Sequence, residues 1–178
     1  MDEFEFTFLP KALPDLSGCV SKEIVDIYLP STVNHPYLRI RRSGEKFEIT
    51  KKQPVKEGDA SHQFENTIPL SREEFDELAQ IAGKRIQKNR YLYEEGGRTY
   101  EIDVFQGDLK GLVLVDIEFN SLEEKATYIA PDWMLADVTQ EDFIAGGMLC
   151  GKSFSSIESK LSSLGYSRFQ FDEFSKQK

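Results

Sequence analysis

Glu3-Phe4-Glu5-Phe6-Thr7-Phe8 sets a phenylalanine at every second position and puts two carboxylates and then a hydroxyl between them. Alternate residues of a strand point to opposite faces, so this stretch predicts a strand with one aromatic face and one anionic face. Like charges on neighbouring same-face positions repel, which raises the question of what they face. The pattern recurs. Glu101-Ile102-Asp103-Val104 and Asp116-Ile117-Glu118-Phe119 are further acidic doublets with apolar residues on the reverse. Leu38-Arg39-Ile40-Arg41 and Lys88-Asn89-Arg90 are basic doublets. Ile49-Thr50-Lys51-Lys52 puts Thr50 and Lys52 on one face and Lys51 on the other.

Reading outward at period two predicts strands near residues 2–9, 22–29, 36–43, 46–52, 62–68, 86–94, 98–105 and 111–119. Turn signals at Ser43-Gly44, Gly58-Asp59, Gly96-Gly97 and Gly107-Asp108 separate them. Connections this short favour antiparallel pairing, because parallel neighbours need a crossover of about a dozen residues or more. Ser71-Arg72-Glu73-Glu74 and Ser121-Leu122-Glu123-Glu124 carry capping patterns for two helices, and Ile157, Leu161 and Leu164 predict a closing helix before a polar tail. Beyond Pro131 the strand signal fades. A single domain over residues 1–178 is expected, its core over about 1–165.

Eight antiparallel strands with helices to one side can form a sandwich with solvated charged faces, an open sheet or a barrel. Segregation of sign favours the barrel: solvated faces mix charges, whereas three acidic and three basic strands read as two walls of a polar tunnel. Carboxylates on one wall call for a hard divalent cation, Mg²⁺ or Mn²⁺. Arg and Lys on the other call for a polyanion. A metal-bound triphosphate meets both demands.

Bulk properties narrow the function classes. A net charge of −9 argues against non-specific nucleic-acid binding. Cys19 and Cys150 stand far apart, so neither a disulfide framework nor a CxxC motif can be built. No apolar run approaches the roughly 20 residues that span a bilayer, and the acidic start lacks the features of a signal peptide. A cytoplasmic protein with no nucleic-acid or membrane partner, monomeric or homodimeric, is expected. Gly146-Gly147-Met148-Leu149-Cys150-Gly151-Lys152-Ser153 fits the phosphate-loop pattern, but Gln140-Glu141-Asp142 precedes it where that loop needs a buried strand, so the match reads as chance. His35 and His62 are isolated and read as loop or surface residues, and Trp133 reads as a packing anchor.

Taken in order, these motifs resemble the CYTH domain, a branch of the triphosphate tunnel metalloenzymes. The hallmark E-x-E-x-K strand is matched by Glu3-x-Glu5-x-Thr7 except at its last position, and the series continues through Leu38–Arg41, Ile49–Lys52, Phe64-Glu65, Lys88–Tyr91, Glu101–Phe105, Val115–Glu118 and Pro131-Asp132-Trp133 to Val138-Thr139. The resemblance implies an α+β fold: an eight-stranded antiparallel β-barrel, closed or nearly closed, with helices packed outside. It implies metal-dependent hydrolysis of a linear triphosphate compound, whether inorganic triphosphate, thiamine triphosphate or a nucleotide. A triphosphate-binding protein with weak turnover and an adenylyl cyclase are the alternatives. Carried over, it makes Glu3, Glu5 and Glu118 ligands of Mg²⁺ or Mn²⁺, with Glu101, Asp103 and Asp116 as further ligands or orienting groups. Arg39, Arg41, Lys52, Lys88 and Arg90 would hold phosphate oxygens, and Glu3, Glu5, Arg90 and Glu118 would carry catalysis. Three departures stand out: Thr7 for the family lysine, Ser61 and Gln63 where relatives often have Arg and Glu, and Gly146-Gly147 where an Asn and a basic residue are common.

Overall fold

The computed structural model of the protein describes residues 2–171. Among these, the strands in chain order are β1 (Asp2–Pro10), β2 (Val20–Leu29), β3 (Leu38–Ser43), β4 (Lys46–Pro54), β5 (His62–Leu70), β6 (Lys84–Glu95), β7 (Arg98–Phe105), β8 (Val113–Phe119) and β9 (Met134–Asp137). Every pairing is antiparallel, in the order β5-β4-β3-β2-β6-β7-β8-β1-β9. β5 also pairs with β1, through Asp2↔Phe64, Glu3↔Gln63 and Phe4↔His62, and this closes the first eight strands into a barrel.

β1 is where the closure is made, because one of its edges serves two partners. β8 runs along the other edge from Phe4 to Phe8. On the shared edge β5 takes the start of the strand and β9 the end, from Phe8 to Pro10. Loop atoms fill the interval: Glu5 N donates to Ser61 O (3.2 Å), Thr7 N to Thr139 Oγ1 (3.0 Å), and Val138 N to Thr7 O (2.9 Å). Backbone groups left unpaired at this seam would cost as much as lost hydrogen bonds, so the loops stand in for a strand. β9 was not predicted from sequence. Its four residues show no alternation, and it is ordered as a strand by the edge of β1.

The barrel is inverted relative to an ordinary β domain. Ile102, Val113, Val115 and Ile117 alternate with the acidic residues of β7 and β8, and they are fully buried on the outer face. There they pack with Phe8, Tyr100 and Phe119 under Leu13, Leu16, Tyr128 and Trp133. Ile27, Leu29, Ile40 and Phe47 do the same beneath Phe75 of helix α1 (Arg72–Leu78). The α1 capping box forms as expected, with Ser71 and Glu74 bonded reciprocally. Helix α2 (Leu122–Ala126) has half of one, since the Glu124 carboxylate takes the N–H of Asn120 instead of that of Ser121.

A third apolar cluster gathers where β2 and β7 end and β8 begins. Tyr28, Phe105 and Leu114 pack there with Val138, Ile144 and Leu149, under α3 (Gly146–Leu149) and α4 (Phe154–Ser163). The polar tail expected after residue 165 begins later than that: Tyr166 is buried, its hydroxyl donating to Gly111 O (2.9 Å) and accepting from Val113 N (2.8 Å). Residues 172–178 lie outside the described part. Cys19 and Cys150 are both free thiols, and among the described residues no helix is long and apolar enough to cross a membrane.

If the hydrophobic core lies outside the barrel wall, truncating an outward residue removes core packing. Ile102→Ala is expected to lower stability by about 2–5 kcal/mol, read as a lower urea midpoint with an unchanged m-value. A change within error would place Ile102 outside any core.

Candidate active site

Strand alternation turns the charged doublets inward, where they line one cavity of about 670 Å³. β1 contributes Glu3, Glu5 and Thr7; β3 contributes Arg39 and Arg41; β4 contributes Lys52. Lys88 and Arg90 come from β6, Glu101 and Asp103 from β7, and Asp116 and Glu118 from β8. All the residues singled out from the sequence are thus gathered in one place, while Lys51 is exposed, as its parity required. Strand order converts sign segregation along the chain into arcs around the barrel. β7-β8-β1 form a continuous acidic arc; β4, β3 and β6 carry the cations, with β2 lying between β3 and β6.

The arcs interlock where they meet. Register places Arg90 opposite Asp103. Arg90 Nε donates to Asp103 Oδ1 (2.7 Å) and Nη2 to Oδ2 (2.6 Å), while Nη2 also reaches Asp116 Oδ2 (3.3 Å) and Nη1 pairs with Glu101. Lys88 bonds to Asp103 as well. Burial alone would raise the Asp103 carboxyl, yet the charges and hydrogen bonds of Arg90 and Lys88 bring it down to about 2. With 1% exposure and both oxygens held by cations, Asp103 anchors Arg90 and Lys88 in the basic arc. At the other junction Lys52 Nζ lies 2.8 Å from Glu5 Oε2 and 2.6 Å from Glu3 Oε2. Burial would depress that ammonium, but Glu5 and Glu3 raise it above its ordinary value, so it stays cationic.

Negative charge nevertheless remains in surplus. Glu118 is the most open member of the acidic arc, and its carboxyl is pushed up to about 7, first by desolvation and then by Glu101, Glu3 and Glu5. Glu3 Oε2 is in charge contact with Lys52 but out of hydrogen-bond alignment, which leaves a buried oxygen without a hydrogen-bond partner. Arg39 Nε across the cavity is likewise buried with none. An all-oxygen donor set with uncompensated charge fits a hard divalent cation. Among the described residues no three carboxylates converge on one point.

Known proteins resemble this chain. The CYTH domain pattern matches residues 3–138. The chain belongs to the CYTH domain family, within the triphosphate tunnel metalloenzyme superfamily. It is 32% identical over 143 residues to an inorganic triphosphatase of Nitrosomonas europaea, covering 79% of this chain and 91% of that one. An inorganic triphosphatase of Acetivibrio thermocellus is 32% identical over 104 residues, 57% of this chain and 64% of the other. The crystal structure of the inorganic triphosphatase NE1496 superposes with a TM-score of 0.61 at 28% identity, covering 83% of this chain and 93% of that one.

Each departure from the CYTH pattern has a local partner here. Thr7 Oγ1 donates to Asp116 Oδ1 (2.8 Å), so the residue in the lysine's place is tied to the acidic arc. Gln63 Nε2 donates to Glu5 Oε1 (3.0 Å), and buried Ser61 receives the Lys125 ammonium at its carbonyl oxygen (2.9 Å). Gly146 and Gly147 line the cavity, and a side chain at either would strike a neighbour: the Tyr28 hydroxyl at Gly146, the Pro36 carbonyl oxygen at Gly147. The phosphate-loop match is not a phosphate loop, because α3 follows a 3-10 turn over Asp142–Ile144 and no strand leads into it. Trp133 packs edge-on against Tyr93 and Tyr100 outside the barrel and donates to Glu95 Oε2 (3.0 Å). His62 stacks near Phe4 at the seam. His35 lines the cavity mouth beside Tyr37, a position that its isolation in sequence did not reveal.

Sequence pattern also missed Asp26, Tyr28 and Glu48, which face inward among apolar or mixed neighbours. Asp26 takes Arg41 in a two-pronged pair, Nε to Oδ1 at 2.6 Å and Nη2 to Oδ2 at 2.8 Å. Burial opposes its ionisation, but Arg41, with Arg39 and Lys88 behind it, holds the carboxyl far below the usual range.

Asp103 and Asp26 therefore have folded-state values below the roughly 3.9 of a free Asp. Their stabilisation is complete above about pH 5 and is lost progressively as pH falls through about 4 towards about 2, that of Asp26 last. The urea midpoint of metal-free protein is expected to drop steeply between about pH 5 and pH 2.5, less steeply in Asp103→Asn. A midpoint flat over that range would contradict buried ion pairing.

Proposed function

We propose that this chain hydrolyses inorganic triphosphate with Mg²⁺ or Mn²⁺ bound to its acidic arc. The observation that carries the reading is the single cavity in which an acidic arc and a cationic arc face each other. The inorganic triphosphatase relatives, matched along most of this chain in the Nitrosomonas europaea case, support the choice of substrate.

Glu3, Glu5 and Glu118 would hold the cation, drawing together around it from positions that do not converge beforehand, with Asp116 and Glu101 beside them. Bound there, the metal would neutralise phosphate charge and polarise the water that attacks. Arg39, Arg41, Lys52 and Lys88 hold the phosphate chain, which fixes the terminal phosphorus for in-line attack. Arg90, locked by Asp103, stabilises charge on the phosphoryl group as it transfers. A carboxylate of the acidic arc takes the proton of the attacking water. Asp103 orients the cations and does not ligate metal, since both its oxygens are engaged and it is almost wholly buried.

Phosphate release from inorganic triphosphate, thiamine triphosphate and ATP, each with Mg²⁺, Mn²⁺ or chelator, tests this. Metal-dependent release from inorganic triphosphate, abolished by chelator, is expected. No release from any substrate, with calorimetric triphosphate binding intact, would leave a binding protein, and cyclic AMP with pyrophosphate from ATP would indicate a cyclase.

Thr7 bears on rate. A charged contact to phosphate is worth about 1.5–3 kcal/mol, so Thr7→Lys is expected to raise kcat/KM by about tenfold or more. A lower value would mean that the Thr7–Asp116 bond is itself required, and an unchanged one that a cation at this position adds nothing to turnover.

A further inference from the structure

Asp26 stands between Val25 and Ile27 in a strand that shows no acidic doublet, yet it is 2% exposed and sits inside the barrel wall. Register sets it opposite Arg41 on β3 and Ile86 on β6. A carboxylate so deeply placed persists only with a well-aligned partner, and its fork-to-fork contact with Arg41 is such a partner. Arg41 has a second acidic neighbour. Glu48 of β4 is its register partner on the other side, lines the same cavity, and makes no ion pair among the described residues. Two carboxylates thus flank one guanidinium, and the buried one holds it. Asp103 does the same for Arg90 on the opposite side of the basic arc.

We propose that Asp26 is a positioning residue for triphosphate hydrolysis: it fixes the plane of Arg41, leaves the remaining guanidinium N–H groups for a phosphate oxygen, and keeps Arg41 from turning to Glu48. The proposal rests on the reading of this cavity as a triphosphatase site. Asp26 has no need to touch substrate. A guanidinium held before substrate arrives does not lose side-chain freedom on binding, and a fixed planar fork aligns with phosphate oxygens. Asn has the shape of Asp but neither the charge nor the second acceptor oxygen, so the fork loses one of its two prongs.

The experiment is a double-mutant cycle. Asp26→Asn, Arg41→Ala, the pair together, and Asp26→Asn with Glu48→Gln are assayed on inorganic triphosphate with Mg²⁺, and each melting temperature is recorded. Asp26→Asn is expected to lower kcat/KM by about tenfold or more alone and to add almost nothing in the Arg41→Ala background, with part of the loss recovered by Glu48→Gln. An equal loss with and without Arg41, or wild-type kinetics in Asp26→Asn, would overturn the proposal. If Asp26→Asn does not fold, Asp26→Glu keeps the charge but displaces the fork: a raised KM at an unchanged melting temperature supports positioning, and wild-type KM and kcat overturn it. Wild-type protein inactive on every substrate would instead sink the hydrolase reading, and the same cycle read by calorimetric triphosphate binding would still decide the role of Asp26.

Discussion

The ion pairs of the barrel interior are the constraint on which the structure turns. An ordinary β domain puts hydrocarbon inside and charge outside; here Asp26, Arg41, Lys88, Arg90 and Asp103 are all buried within the wall. An ion taken from water costs several kcal/mol, a penalty offset only by close, well-bonded partners. Each of these five has them. Because cross-strand neighbours on one face sit about 5 Å apart, register does the pairing: Asp26 opposite Arg41, Arg90 opposite Asp103. A shift of one residue in either pair would turn the ions into the apolar outer layer, so the electrostatics of the lining and the register of the sheet specify each other.

The ionic part of the interior supplies no hydrophobic driving force, which comes instead from the outer surface of the barrel and from the apolar cluster that closes one end of it. Phe6, Phe8, Ile102, Val115 and Ile117 face helices and loops, and the segments beyond β8 act chiefly as their cover. This explains why short elements such as β9 and the turns from Val138 to Leu149 matter beyond their length. β9 completes the edge of β1 and joins the outer apolar layer through Met134, while the turns close the apolar end of the barrel and bring Gly146 and Gly147 to the cavity against Tyr28 and Pro36.

The same layout separates two kinds of acidic residue that look alike in a sequence. Asp26 and Asp103 lie under cations and are kept ionised by them. Glu3, Glu5 and Glu118 lie on a surface where negative charge outweighs positive, and the Glu118 carboxyl rises, first through desolvation and then through that charge, while that of Asp103 falls. The first kind holds the cationic arc in place. The second kind is suited to a metal ion.

Alternation by itself determined much of this protein. Glu3-Phe4-Glu5-Phe6, Arg39-Ile40-Arg41 and Asp116-Ile117-Glu118 announce strands with one ionic face, and the grouping of sign by strand favours a charged lumen over solvated faces, on which signs mix. The lining residues were legible for that reason. Tertiary structure alone decided which ion meets which: Asp26 has only apolar neighbours in sequence, β9 is too short to carry a pattern, and a glycine pair resembling a phosphate loop proved to be a close-packing requirement. Pairing across strands depends on register and barrel closure, contacts between residues remote in the chain, and a period within one strand contains no information about them.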